Sequence, residues 1–224
     1  MTETDLHDDV ANQIAAVPLR RHRPLIVSDA DEVLVNFMTG FEGFLSDRGL
    51  YFTWESYRLN GNIRRRGADN ALERPEIRDL IDAFFAECID ALTPVEGAAE
   101  ALGALSRRAQ IVVLSNVPLA HCHRRRRWLA RHGIDYPLVA NIGAKGPAVR
   151  ELAALAAAPT YFIDDSPQNH LTVARDAGHV HRLHFVADAR LARLLGPAPE
   201  SHHRADDWAA ARALIEADLA AQGY

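Results

Sequence analysis

Short apolar runs that stop at polar residues recur along the chain, separated by longer stretches with apolar residues three and four apart. Residues 25–27 (Leu-Ile-Val) follow a proline and end at Ser28, Asp29, Ala30, Asp31 and Glu32. An unalternating run of this kind predicts a strand buried on both faces, about 25–29. Similar runs at 111–114, 138–141, 161–163 and 181–186 predict four more strands. Phe37, Phe41, Phe44 and Leu45 have helical spacing, and Gly49 closes that helix. Pro75 opens a second, running to about 91, with Ile77, Leu80, Ile81, Phe84, Phe85 and Cys88 on one face. Further helices are predicted over 98–108, 120–132, 147–157, 169–177 and 206–221. Residues 1–22 read as a loosely held arm or one short helix. The stretch 50–74 is mixed, and its Tyr51, Phe52, Trp54 and Tyr57 read as apolar packing rather than a platform for bases.

Strand and helix alternate, which predicts an α/β protein: a Rossmann-like parallel sheet with helices on both faces. The division implied is an arm at 1–22, a core at 23–35 and 93–224, and a mostly helical insertion, or cap, at 36–92.

Composition narrows the function. The 224 residues are 48% hydrophobic and 25% charged, with net charge −5, which gives no case for nucleic-acid binding. Only Cys88 and Cys122 occur, so no disulfide framework is implied and a reducing cytoplasm fits. The first twenty residues lack an apolar leader core, and no 18-residue apolar run predicts a membrane span. The oligomeric state stays open, a homodimer included.

The predicted strand ends carry the chemistry. Asp29 and Asp31 are two apart, so extended backbone turns both carboxylates to one side. Close carboxylates repel unless a proton or cation joins them, which points to a hard divalent metal with room for phosphate. Ser115 and Asn116 end the second strand, and Asp164 and Asp165 end the fourth. Lys145, in a glycine-flanked loop, is the sole lysine of the chain.

In this order and at these spacings, the four clusters resemble the haloacid dehalogenase-like (HAD) hydrolase superfamily, in its members with a small helical cap. The matching segments are Asp29-Ala30-Asp31-Glu32-Val33, the run ending in Ser115-Asn116, Lys145, and Phe162-Ile163-Asp164-Asp165-Ser166; Thr93-Pro94-Val95-Glu96-Gly97 is also similar. The likeness spans about 24–186. It implies a magnesium-dependent phosphatase acting on a small phosphorylated metabolite. Asp29 would be the nucleophile and Asp31 the acid and base. Mg²⁺ would be held by Asp29, Asp165 and the Asp31 carbonyl, with Asp164 bound directly or one step behind. Ser115, Asn116 and Lys145 would hold the phosphoryl group.

Two positions depart from the family pattern. Glu32 stands where Gly is usual, and Glu turns there without strain only in a right-handed conformation. Asn169 stands where many members carry another acid. Arg64-Arg65-Arg66 in the insertion are candidates for a substrate phosphate or carboxylate. The four arginines 124–127 read as a solvated helix, and His121-Cys122-His123 lacks half of a zinc site. A nucleotidase is the alternative within the fold, since the 31–37 stretch looks like the opening of the deoxyribonucleotidase group. A dehalogenase is possible on the same scaffold but needs no metal, so Asp31 and the acid pair 164–165 argue against it. A phosphate-binding regulatory protein is kept open by Glu32.

Overall fold

The computed structural model describes residues 5–68 and 70–224; the first four residues of the expected arm and Asp69 of the insertion lie outside them. In chain order the elements are α1 (Asp8–Ala15), β1 (Leu25–Ser28), α2 (Phe37–Ser46), β2 (Leu50–Phe52), β3 (Ile63–Arg65), α3 (Arg74–Cys88), α4 (Ala98–Leu105), β4 (Gln110–Ser115), α5 (Cys122–Arg131), β5 (Leu138–Ala140), α6 (Gly146–Ala156), β6 (Thr160–Asp164), α7 (Pro167–Asp176), β7 (His181–Phe185), α8 (Ala189–Leu194), β8 (His203–Ala205) and α9 (Trp208–Ala221).

Among the described residues, six strands form one parallel sheet in the order β5-β4-β1-β6-β7-β8. Leu25, Ile26 and Val27 are fully buried, as a strand covered on both faces requires. The chain runs outward from β1 through β4 to β5, then returns to the other side of β1 with β6. That reversal opens a crevice at the carboxyl ends of β1, β4 and β6, where open α/β sheets hold ligands.

Three expectations change, and of the arm or short helix expected at 1–22 the helix is found. The amino-terminal segment is a docked helix: Val10 and Ile14 are buried with Val139, Val149 and Leu152. The insertion between β1 and α4 is not purely helical, because β2 and β3 pair antiparallel between α2 and α3. A sixth strand, β8, extends the sheet at 203–205, and α8 precedes it. β8 is too short and too polar to show as an apolar run, and α8, under two turns long, is too short for a helical period to stand out. The four-arginine helix is only partly solvated, since Arg125 is fully buried.

Two close fits position the crevice. Gly146 opens α6 against α7, and a Cβ there would lie 2.4 Å from the carbonyl oxygen of Thr172, so the approach needs glycine. Lys145 immediately precedes it. The indole of Trp208 on α9 donates to the Val33 carbonyl at 2.8 Å, tying the loop after β1 to the body of the protein.

Candidate active site

Asp29 leaves the end of β1 with its amide still in the ladder, donating to the Ile163 carbonyl at 2.8 Å. Its Oδ1 accepts the Ala30 amide at 2.7 Å and lies 2.6 Å from Lys145 Nζ. The same ammonium donates to Asp164 Oδ2 at 2.8 Å. One buried lysine from the loop after β5 thus bridges acids from β1 and β6. Asp164 is otherwise saturated: it accepts Ser166 N at 2.9 Å and the Asn169 amide at 2.9 and 3.1 Å. An acid at position 169 would set another carboxylate against Asp164; the asparagine supplies a donor instead.

Asp165 points into the crevice beside them. Asp29, Asp164 and Asp165 each offer a carboxylate oxygen within 4.8 Å of one another. Burial raises the Asp29 carboxyl to about 7, with Asp164 and Asp31 adding to the effect and Lys145 opposing it. Burial, then Asp164 and Asp29, holds Asp165 well above the usual carboxylate range. Burial works against the charge on Lys145, but Asp164 and Asp29 outweigh it and its ammonium is held more firmly than usual. Three acids against one ammonium leave a negative excess that a hard divalent cation offsets. Because Asp164 is filled with donors, Asp29 and Asp165 are the carboxylates with oxygens to spare, and the donor set suits Mg²⁺.

Two histidines with no obvious sequence signal hold this acidic turn. His184 accepts the Ala198 amide at Nδ1, so its Nε2 carries the hydrogen and donates to the Asp165 carbonyl at 2.9 Å. His170 Nε2 lies 2.9 Å from the Asp164 carbonyl. Burial pushes His184 down to about 4 and lowers His170, so both work as neutral hydrogen-bonding groups.

Asp31 does not join the carboxylate cluster. Its Oδ1 lies 2.7 Å from Nη2 of Arg125, a buried side chain of α5. This partner was missed because four successive arginines on a helix look alike until packing selects one. Glu32 also turns away from the acids. Its φ is +61°, the left-handed region rather than the right-handed one expected, which explains why glycine suits this position. Its carboxylate accepts the Met38 amide in the first turn of α2, whose own N-cap Asn36 makes no side-chain cap bond. Burial raises Glu32 to about 7.

A cavity of about 320 Å³ lies over Asp29, Asp31, Lys145 and Asp165. Asn116 reaches its wall, with its amide bonded to the Gly143 carbonyl at 3.1 Å. Ser115 is fully buried just behind; its Oγ accepts the Val117 amide at 3.2 Å, which leaves the hydroxyl hydrogen as a donor. Arg64, Arg65 and Arg66 do not line this cavity. They bond instead to Glu55 at 3.1 Å, Glu76 at 2.7 Å and Ser46 at 3.4 Å, because β3 carries them along the far ribbon of the insertion. Of the insertion aromatics, Tyr57 lines the cavity while Phe52 and Trp54 pack edge to face.

Comparison with solved structures places this architecture. A haloacid dehalogenase-like protein of unknown function from Agrobacterium tumefaciens superposes with TM-score 0.63 at 18% identity, covering 87% of this chain and 98% of that one. The chain has the haloacid dehalogenase-like fold. A HAD family hydrolase from Deinococcus radiodurans, solved with bound phosphate and sodium, matches with TM-score 0.59 at 18% identity over 89% and 98% of the two chains. A predicted phosphoglycolate phosphatase from Haemophilus somnus matches with TM-score 0.56 at 17% identity over 85% and 97%. No family model matches the sequence, and no curated protein does. The HAD-like fold is thus recovered in three dimensions while sequence identity stays low. Among the described residues, no helix is long and apolar enough to cross a membrane.

Proposed function

We propose that this HAD-like chain is a Mg²⁺-dependent phosphomonoester hydrolase acting on a small phosphorylated metabolite. The observation that carries the reading is the Lys145 bridge: one ammonium within 2.8 Å of both Asp29 and Asp164, with Asp165 alongside. Distant segments deliver nucleophile, cation and metal-binding acids to one crevice.

Asp29 Oδ2 attacks phosphorus, while Oδ1 is fixed by Lys145 and the Ala30 amide. The P–O bond to the substrate alcohol breaks, and Asp31 delivers the proton to the departing oxygen. Asp31 then takes a proton from the water that attacks the aspartyl phosphate, releasing phosphate and restoring Asp29. Lys145, the Ser115 hydroxyl and Asn116 stabilise charge on the phosphoryl oxygens. Asp29 and Asp165, with the carbonyl of Asp31, would hold Mg²⁺, and Asp164 keeps Lys145 and Asn169 in place. Bound Mg²⁺ would supply the positive charge that lets a carboxylate approach a phosphate dianion. A regulatory protein that only binds phosphate is less well supported, because Glu32 caps α2 rather than crowding the acids.

The test is release of phosphate from p-nitrophenyl phosphate with Mg²⁺. Activity is expected to vanish in Asp29→Asn and on chelation. Full activity under either condition rejects the reading.

A further inference from the structure

The cavity wall facing the acids is almost entirely apolar. Phe37 and Met38 come from α2, Tyr57 and Leu59 from the loop joining β2 and β3, and Ile81 and Phe85 from α3. Leu191 and Leu195 close the side formed by the sheet domain. The floor is anionic.

The polar groups of the cavity belong to the phosphoryl end or are engaged with one another. Among the described residues Lys145 is the one cation lining the cavity, and it is held by Asp29 and Asp164. Glu32 is spent on the Met38 amide. Asn169 bonds Asp164, and Asn116 bonds Asn141 and Gly143. Nearby cations do not reach in. Arg125 has no exposed surface and faces Asp31. Arg190 is taken by Asp188 and Glu42 and stacks 4.1 Å from the Trp54 ring. What remains for the organic half of a substrate is the Tyr57 hydroxyl, the Asn169 side-chain carbonyl beside the acids, and an aliphatic and aromatic surface.

We propose that the substrate carries a single phosphoryl group on an uncharged, mainly apolar alcohol, aromatic or branched aliphatic. The inference rests on the hydrolase reading and narrows its substrate. A second phosphate or carboxylate would sit on apolar surface near Asp31 and Asp165 with no free cation, a position buried charges avoid. A sugar or glycerol moiety would lose water from several hydroxyls and find few partners on the apolar wall. Each unsatisfied hydroxyl lowers kcat/KM by roughly tenfold. An apolar alcohol gains from the same burial. The volume, about 320 Å³, lies at the small end of the roughly 300–1,000 Å³ range of ligand pockets.

The experiment compares kcat/KM for esters of unactivated alcohols, so that leaving-group chemistry does not dominate. Benzyl phosphate and isopentyl phosphate are set against glycerol 1-phosphate and phosphoglycolate, with Mg²⁺ present throughout. The first pair is expected to exceed glycerol 1-phosphate by at least tenfold and phosphoglycolate by about a hundredfold. Ile81→Arg, which places a cation on the wall, is expected to narrow the gap to phosphoglycolate by tenfold or more. A wild-type preference for glycerol 1-phosphate or phosphoglycolate, or equal rates across the panel, overturns the inference and leaves the hydrolase reading standing. Failure to hydrolyse every ester, p-nitrophenyl phosphate included, overturns both.

Discussion

Arg125 Nη2 lies 2.7 Å from Asp31 Oδ1, joining the helix after β4 to the second acid of the loop after β1. The guanidinium is fully buried, and among the described residues its Nε and Nη1 have no hydrogen-bond partner. Burying an arginine this way is costly, and the residue it orients is the one assigned to proton transfer. With Oδ1 held, Oδ2 is the oxygen left for proton transfer in the cavity that Asp31 lines.

Arg125→Met is therefore expected to lower kcat/KM for isopentyl phosphate by roughly 10- to 100-fold, in the range of lost acid–base catalysis. For 2,4-dinitrophenyl phosphate, whose phenolate departs without a proton, the loss is expected to stay within about threefold. Equal losses on both substrates would mean that the arginine only supports the fold.

Glu32 gives a pH signature. Its carboxyl titrates at about 7 in the folded protein against an ordinary 4.5, chiefly through burial. Folding therefore favours the protonated form. This contribution is intact below about pH 4.5 and is lost progressively as pH rises to about 7, amounting to about 3 kcal/mol at about 1.4 kcal/mol per pH unit. Glu32→Gln keeps an acceptor for the Met38 amide without the charge. Denaturant melts of metal-free protein should show the variant equal to wild type near pH 4.5 and more stable by on the order of 2–3 kcal/mol at pH 8. A variant less stable than wild type at pH 8 refutes the account.

Metal binding should be coupled to protons. Asp29, raised to about 7, and Asp165, also raised, must both ionise to hold Mg²⁺. Affinity is expected to fall as pH drops below about 7, and binding near neutrality should release protons. Calorimetry in two buffers of different ionisation enthalpy measures the release. A rise in melting temperature with Mg²⁺ at pH 7.5 that shrinks at pH 5.5 is the accompanying result. No binding at either pH would remove the metal from the mechanism.

Asn62 shapes the roof of the cavity. Its Oδ1 accepts from Thr53 Oγ1, Glu55 N and Ser56 N, and its Nδ2 donates to Ser56 Oγ and the Arg58 carbonyl. These bonds set the loop that presents Tyr57 and Leu59. Asn62→Ala is expected to raise KM for benzyl phosphate about tenfold, with kcat within about threefold, and to cost about 1–3 kcal/mol of stability from the stranded polar groups. An unchanged KM would show that the loop does not form the substrate wall.

The parallel sheet, and the convergence of acids at its carboxyl edge, could be read from the chain because buried parallel strands appear as apolar runs that end where the backbone reaches solvent. Asp29, Ser115 and Asp164 each sit at such an ending, and Lys145 is the only lysine of the sequence. Packing settled what one-dimensional pattern leaves degenerate. Helical geometry sends one of four adjacent arginines inward, and only the neighbouring Asp31 and Phe85 show that it is Arg125. Asp164 and Asp165 are equivalent as letters, yet pleated backbone turns them to different sides, one onto Lys145 and Asn169 and the other into the cavity. Arg64–Arg66 are equally basic wherever they stand, and the pairing of β2 with β3 directs them to Glu55, Glu76 and Ser46 instead of a ligand. Residue type and order specify which groups a fold can bring together; the direction of each side chain is set by contacts between segments far apart in the chain.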